Sequence, residues 1–189
     1  MEGILKREFV LDKTLSRSIL IFSFATAITL GAHARIPLPF TPVPLTLQTF
    51  FILLSAALLG ARMGMAAQAL YMCAGISGLG VFTGAGSGLS YFQGVTGGYL
   101  VGFSAALAIV SLLAPRTGNK VYRVVGVFLL ADFLILACGT LWLKVVCGYN
   151  GAQAMLCGFW PFVPGDALKA VLAAWVYIKT TSRIKEIIS

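Results

Sequence analysis

Two residues of opposite charge lie close together at the start of an apolar segment near the end of the chain. Asp166 and Lys169 occur in the stretch PFVPGDALKAVLAAWVYI, directly after Pro164 and Gly165. Proline and a carboxylate are both favoured in the first turn of a helix, and residues three positions apart share a helix face. The spacing therefore predicts that both side chains project from one face of a helix, close to its N-terminus.

This pair has two interpretations, which the residues alone leave open. Ionisable residues inside apolar segments are costly, and they usually pair with one another or mark a substrate path. In the first interpretation Asp166 caps the helix and neutralises Lys169 as a structural ion pair. In the second, Lys169 lies beside the free amides of a helix N-terminus and attracts the carboxylate of a ligand arriving from outside. Asp166 then orients the lysine or accepts a hydrogen bond from the ligand.

The other polar residues offer little for catalysis. The chain has one histidine, His33, and neither an HExxH motif nor paired carboxylates at metal-ligand spacing. We therefore predict no catalytic residues, no metal and no cofactor. Asp132 lies within an apolar stretch, where an aspartate faces other helices. An intramembrane enzyme that uses Asp132, His33 or Cys73 is a remote alternative.

The composition indicates a protein embedded in a lipid bilayer. Of the 189 residues, 59% are hydrophobic and 11% are charged, whereas soluble domains carry about 25% charged residues. The range 63–115 contains no Lys, Arg, Asp, Glu or His. These features exclude an ordinary soluble enzyme, a disordered chain and a disulfide scaffold. They favour one integral membrane domain over residues 1–189.

The apolar segments predict an all-α, polytopic membrane protein with six transmembrane helices. A spanning helix needs about 20 apolar residues, because the hydrocarbon core is about 30 Å thick. The second and third segments are short, so we expect them to be tilted or to span partially. The predicted helices are at about 17–34, 46–61, 63–79, 94–114, 122–145 and 164–181.

The basic residues predict that both termini are cytoplasmic. Cytoplasmic loops carry an excess of Lys and Arg, and segment 1–16 would then be a cytoplasmic N-terminal segment. The net charge of +8 does not indicate nucleic-acid binding, because the positive residues are spread over several loops. In this orientation eleven of the fourteen basic residues lie inside: Lys6, Arg7, Lys13, Arg17, Arg62, Arg116, Lys120, Arg123, Lys179, Arg183 and Lys185.

Three connections then lie on the outer side. Residues 35–46, RIPLPFTPVPLT, contain four prolines and must be extended; we call them the proline strap. Residues 78–98 contain eight glycines among 21 residues and no charge. This glycine-rich loop lacks the strand, lysine and acidic residue of nucleotide sites, and we expect it to fold against protein or ligand at the membrane surface. In the third, Cys147 and Cys157 either pair or act as small packing residues.

Helix 1 carries small residues at four-residue spacing. Ser23, Ala27 and Gly31 present a shallow face that lets another helix approach closely. The face serves either packing within the chain or docking of a partner membrane subunit.

Six motifs follow one another along the chain: PLPFTPVPLTLQTF at 37–50, LLGARMG at 58–64, QALYMCAGISGLGVF at 68–82, VTGGYLVGF at 95–103, GTLWL at 139–143 and PFVPGDALKA at 161–170. Taken in this order, they resemble the BioY family, the biotin-binding substrate-capture (S) component of energy-coupling-factor (ECF) transporters. The family pattern usually has proline at the positions of Gly80 and Val95, in the glycine-rich loop.

The resemblance implies the ECF S-component fold and an outward-facing pocket for biotin as the transported ligand. Asp166 and Lys169 match the D-x-x-K pair of the family, which engages the polar groups of biotin. Our physical argument assigns the biotin carboxylate to Lys169. The remaining candidates for ligand contact are Tyr71, Phe82 and Tyr99 as apolar walls and Gln48 as a polar contact.

The resemblance also implies partners and a location. The chain has no nucleotide motif, and the family works with a membrane coupling protein, the T component, and two ATPase subunits. We expect Ser23, Ala27 and Gly31 to form the docking face for these partners. We also expect multi-pass insertion in a bacterial cell membrane. The main alternative function is an S component for another small carboxylated vitamin.

Overall fold

The structure is a computed structural model that describes residues 13–118 and 120–188. About four-fifths of these residues are helical. Most of segment 1–16, which was expected to be cytoplasmic, lies outside the described residues, and residues 13–16 belong to the first helix. The elements are α1 (Lys13–His33), β1 (Arg35–Ile36), β2 (Leu45–Thr46), α2 (Gln48–Ile76), α3 (Gly88–Phe92), α4 (Gly97–Leu113), α5 (Val121–Cys147), α6 (Gly151–Gly158) and α7 (Val163–Ile188), with 3₁₀ turns at Thr83–Ala85 and Ala114–Thr117.

Four stretches of the described chain have the length and hydropathy of membrane spans, namely α1, α2, the range Gly97–Thr117 and α5. Large apolar side chains point away from the core, and Val145 and Leu141 are 80% and 67% exposed. Such side chains are stable in contact with lipid tails. The fifth long helix, α7, falls outside this group and carries Asp166 in its first turn.

Helix α2 reverses direction in its middle. Gly60 has φ 74° and ψ −176°, which interrupts the helix and lies in the region of backbone space that favours glycine. Gln48 and Tyr71 would lie about 35 Å apart along a straight helix, yet both line one cavity. The two arms, 48–59 and 61–76, are therefore folded back on each other, close to the boundary expected between 61 and 63.

The proline strap is a long hairpin. β1 and β2 pair antiparallel at its ends, with Arg35 opposite Thr46 and Ile36 opposite Leu45. The prolines lie in the irregular part between these two pairs, since proline cannot donate a backbone hydrogen bond. The strap is non-helical as predicted, but it is not extended throughout, because it turns back at residues 39–40 and its ends are paired with each other.

Two of the three connections that were expected on the outer side contain short helices that the sequence analysis did not predict. α3 lies inside the glycine-rich loop and α6 inside the third connection. α6 begins with a capping box, in which the backbone N–H of Gln153 donates to Asn150 at 2.9 Å and the N–H of Asn150 donates to Gln153 at 3.1 Å. The N-x-x-Q spacing was present in the sequence. All four cysteines are free, so Cys147 and Cys157 are not paired.

Helices α4 and α5 pack closely because glycine lies at their contact. A Cβ atom at Gly102 would lie 2.9 Å from the Cα atom of Ile135. A Cβ atom at Gly139 would overlap the ring of Tyr99. Close approach through small residues is typical of helices in membranes, and here it sets the position of the Tyr99 side chain.

Candidate functional site

The residues of highest chemical interest surround a cavity at one end of the helix bundle. The start of α2, the end of its second arm, and the starts of α4 and α7 meet there, and the proline strap and glycine-rich loop cover the opening. The volume of the cavity is about 50 Å³. It is lined by Val43, Pro44, Leu45, Thr46, Gln48, Thr49, Tyr71, Thr83, Tyr91, Thr96, Tyr99, Leu100, Phe103, Ile135, Leu136, Phe162, Asp166 and Lys169.

Lys169 and Asp166 form an ion pair inside this cavity. Asp166 lies in the first turn of α7, and Lys169 follows one turn later. The ammonium group of Lys169 also donates to the carbonyl of Thr46 at 2.8 Å and to the hydroxyl of Thr49 at 2.7 Å. That hydroxyl donates in turn to a carboxylate oxygen of Asp166 at 3.4 Å. The prediction that both charged side chains share one helix face is therefore confirmed.

Burial makes this pair chemically unusual. Asp166 is 4% exposed and Lys169 is 8% exposed, and removing two charges from water is costly unless they are paired and hydrogen-bonded. The carbonyl of Thr46 and the hydroxyl of Thr49 supply these hydrogen bonds. The helix N-terminus adds a partial positive charge beside Lys169, so the positive side of the pair favours an anionic group.

Two further polar side chains, which lie close to each other, reach the cavity with polar atoms that are not satisfied. The amide nitrogen of Gln48 and the hydroxyl of Tyr71 are buried and make no hydrogen bond to the described residues. Gln48 is 3% exposed and Tyr71 is 2% exposed. A buried polar atom without a partner costs free energy, and that cost is recovered when a bound molecule supplies the hydrogen bond.

The apolar wall of the cavity is held rigidly. The hydroxyl of Tyr99 donates to the carbonyl of Gly158 at 2.7 Å, so this hydroxyl is already satisfied and the ring is fixed. The rings of Tyr99 and Phe162 lie 6.2 Å apart. Leu100, Phe103 and Ile135 extend the same apolar surface.

Phe82 lies behind the cavity and is not part of its lining. It is fully buried. Its ring packs edge-on to Tyr71 with centroids 5.4 Å apart and stacks on Tyr91 at 5.0 Å. The expectation that Phe82 forms a wall is therefore corrected. Tyr91 and Tyr71 face the cavity, and Phe82 supports them because it is the ring between them.

Sequence reasoning missed two hydrogen-bonding residues. Thr46 and Thr49 lie on either side of Gln48 in the stretch LTLQT, and both contact Lys169. The signal that could have found them is a group of three polar residues within four positions at the start of an apolar helix. The contact itself depends on the approach of α7, which lies more than 100 residues later.

The small residues of α1 do not share one surface. Ser23 and Ala27 line a shallow apolar groove on the outside of the helix. Gly31 is buried, and a Cβ atom there would lie 2.8 Å from the Phe51 ring and 3.0 Å from the Cα atom of Gln48. The expected three-residue face is therefore corrected. Each four-residue step turns the position by about 40°, which brings Gly31 round to α2.

The remaining candidates lie apart from the cavity lining. Asp132 is buried in α5, and neither of its carboxylate oxygens has a partner among the described residues. His33 is exposed at the end of α1, where Nδ1 lies 2.8 Å from the carbonyl of Thr29. Cys73 is exposed on α2. In the described part of the chain, none of these three residues lines the cavity.

Fold and cavity together define a multi-pass membrane protein with a small-molecule site at one end of its bundle. The model of the BioY family matches residues 6–186 of the chain. The chain belongs to the BioY family, and the resemblance found in its motifs is confirmed.

Individual relatives agree with this assignment. The biotin transporter BioY of Thermotoga maritima is 38% identical over 157 residues, which cover 82% of this chain and 90% of that protein. The probable biotin transporter BioY of Pyrococcus horikoshii is 34% identical over 158 residues, covering 84% and 92%. The crystal structure of the S-component for biotin from an ECF-type ABC transporter matches with a TM-score of 0.82 and 22% identity. It covers 89% of this chain and 92% of the other, so the fold is shared.

Proposed function

We propose that this chain is the membrane subunit that captures biotin for uptake. The observation that carries the proposal is the buried Lys169, held by Asp166 and Thr49 inside a mostly apolar cavity. The named functions of its relatives support the same ligand, since the Thermotoga maritima and Pyrococcus horikoshii proteins are a biotin transporter and a probable biotin transporter.

The chemistry of biotin fits the groups that line the cavity. Biotin has one carboxylate, an apolar tail and an uncharged ureido ring that donates and accepts hydrogen bonds. We assign the carboxylate to Lys169, and Asp166 holds the lysine in place. Gln48 and Tyr71 offer unpartnered polar atoms to the ring. Tyr99 forms the apolar wall, so most of the ligand surface is removed from water.

The burial of Lys169 implies that the cover moves when biotin enters. Lys169 is 8% exposed, and its ammonium group donates a hydrogen bond to Thr46 of the strap, so a ligand reaches it when a covering segment moves. The proline strap and the glycine-rich loop are the segments that cover the opening. We assign the movement to the glycine-rich loop, because the strap is fixed by β1 and β2.

We place the protein in the bacterial cell membrane as a single domain with six crossings, counting the two arms of α2 separately. Both termini are cytoplasmic in this arrangement because most basic residues then lie inside. The starts of α2, α4 and α7 face outward, and the cavity opens to the outer side. Biotin therefore reaches Lys169 without crossing the bilayer.

Delivery to the inside requires an energy source that this chain does not contain. We infer a complex with a T component and two ATPase subunits, because the matched structure is the S-component of an ECF-type ABC transporter. The apolar groove on α1 that includes Ser23 and Ala27 is the candidate docking surface. Gly31 supports this surface indirectly, since it lets α1 approach α2 closely.

Equilibrium binding of labelled biotin to the purified protein in nanodiscs tests the function. We expect saturable binding that unlabelled biotin displaces and that thiamine or riboflavin does not. Displacement by lipoate or pantothenate with equal or higher affinity would favour an S component for another carboxylated vitamin. A folded protein that binds no biotin would refute the proposal.

A further inference from the structure

A second cavity lies beside the first, between the proline strap and the glycine-rich loop. Its volume is about 230 Å³. It is lined by Arg35, Pro42, Pro44, Thr83, Tyr91, Gly94, Val95 and Thr96. Four of these residues, Pro44, Thr83, Tyr91 and Thr96, also line the deep cavity.

The shared lining makes the second cavity a vestibule. Lys169 is 8% exposed, so a ligand must pass the cover to reach it. The strap forms one side of that cover and the glycine-rich loop the other. We call the second cavity the outer vestibule because a ligand that enters between these two segments meets it before the deep cavity.

Arg35 is the charged residue of the outer vestibule. Its side chain is exposed, and within residues 13–118 and 120–188 its guanidinium has no hydrogen bond or ion pair. The deep cavity has Asp166 and Lys169 as its charged lining residues, and these neutralise each other. Among the described residues that line the two cavities, Arg35 is thus the cation without a carboxylate beside it.

The strap links the outer cation to the inner one. Arg35 pairs with Thr46 across β1 and β2, and the carbonyl of Thr46 accepts a hydrogen bond from Lys169 at 2.8 Å. A single residue pair therefore connects the two positive side chains. The guanidinium also packs against Gly84 of the glycine-rich loop, where φ is 72° and a Cβ atom would overlap it.

We infer that Arg35 forms an outer subsite that holds the carboxylate of the entering ligand before it reaches Lys169. This inference rests on the proposed function and adds a second anion-binding position to it. An exposed cation in an otherwise uncharged mouth raises the local concentration of an anion and its rate of association. The effect is screened by salt, because the Debye length falls from about 30 Å at 0.01 M to about 3 Å at 1 M.

The test compares association rates of biotin and of biotinamide, which has the same rings and tail without the carboxylate charge. Stopped-flow binding is measured in nanodiscs of neutral lipid, at about 20 mM and about 500 mM salt. We expect Arg35→Gln to lower the association rate of biotin at least about threefold at low salt. The difference should shrink at high salt, and the dissociation rate should change less than about twofold.

Two controls separate charge from structure. Arg123→Gln removes an exposed arginine at the other end of the bundle, and Arg35→Lys keeps the positive charge; both should associate with biotin at nearly the wild-type rate. Biotinamide should associate with wild type and Arg35→Gln at the same rate. If Arg35→Gln folds poorly, Arg35→Met, which also removes the charge and keeps an unbranched side chain, replaces it in the same comparison.

The outcomes distinguish this inference from the proposed function. If wild type binds no biotin, the proposed function fails and the subsite fails with it. If wild type binds biotin and Arg35→Gln associates as fast as Arg123→Gln at low salt, the subsite alone is refuted. An equal loss for biotinamide would also refute it, since that result indicates a structural role of the arginine.

Discussion

The ammonium group of Lys169 donates a 2.7 Å hydrogen bond to the hydroxyl of Thr49, a residue 120 positions earlier in the chain. The same hydroxyl donates to Asp166 at 3.4 Å. One threonine on α2 therefore contacts both members of the ion pair on α7. This arrangement fixes the direction of the lysine and ties the charged pair to the first turn of the neighbouring helix.

Loss of the Lys169 charge should weaken biotin binding. We expect Lys169→Met to raise the Kd at least about tenfold, equivalent to about 1.4 kcal/mol, because the ligand carboxylate loses its cation. Biotinamide should lose less affinity than biotin. Equilibrium binding of the two ligands measures the difference.

The matched control for that variant is Lys179→Met on the same helix. Lys179 lies with its ammonium 4.2 Å from the centre of the Trp175 ring, away from the cavity. Its replacement should change the Kd less than about twofold, since a distant exposed charge contributes little. Equal losses in both lysine variants would show that general charge, and not the site, attracts the ligand.

The role of Thr49 is tested by an isosteric change. Thr49→Val removes the hydroxyl and leaves a buried ammonium and a buried carboxylate each short of one partner. We expect the Kd for biotin to rise by about tenfold or more, because a hydrogen bond to a charged group contributes about 1.5–3 kcal/mol. Thr49→Ser keeps the hydroxyl and should bind within about twofold of wild type. Wild-type affinity in the valine variant would show that the ion pair orients itself.

The seating of the glycine-rich loop is tested through Gly75. A methyl group at this position would overlap the ring of Phe82, which supports Tyr71 and Tyr91. We expect Gly75→Ala to displace the ring and to raise the dissociation rate of biotin several-fold, because most affinity changes appear in that rate. Gly126→Ala is the control, since nothing lies within 4 Å of its Cβ position. Indistinguishable dissociation in the two variants would contradict this account.

The groove on α1 is tested by separating binding from uptake. Ala27→Leu should leave biotin affinity within about twofold, because Ala27 is remote from the cavity, and it should reduce uptake in cells that contain the coupling module. Val145→Leu, on an 80% exposed position of α5, should affect neither property. If Ala27→Leu takes up biotin normally, the docking surface lies elsewhere.

Gly31 should behave differently from Ala27. A larger side chain there meets the Phe51 ring and the backbone of Gln48, so Gly31→Leu should lower the yield and thermal stability of folded protein. Overpacking of this kind costs about 1–3 kcal/mol. If the Gly31→Leu protein is stable and binds biotin but fails in uptake, Gly31 belongs to the docking surface.

Much of the architecture follows from the sequence because it depends on local properties. The length and hydropathy of the segments predicted long apolar helices, and the four prolines predicted a non-helical strap. Helix periodicity placed Asp166 and Lys169 on one face, near the start of α7. The apolar pattern predicted only the part of each helix that is compatible with a bilayer. Polar ends therefore lie outside the predicted bounds, as in α1, which begins at Lys13 and not at residue 17.

The composition of the site was decided by the tertiary structure. Thr49 meets Lys169 only because the first turn of α2 packs against the first turn of α7, and no local pattern encodes that approach. The same holds for Phe82, which became a support when Tyr71 and Tyr91 took the positions beside the cavity. The rotation of Gly31 toward α2 depends on which side of α1 is packed. Spacing along a chain determines which residues share a helix face, and the packing of helices determines what each face meets.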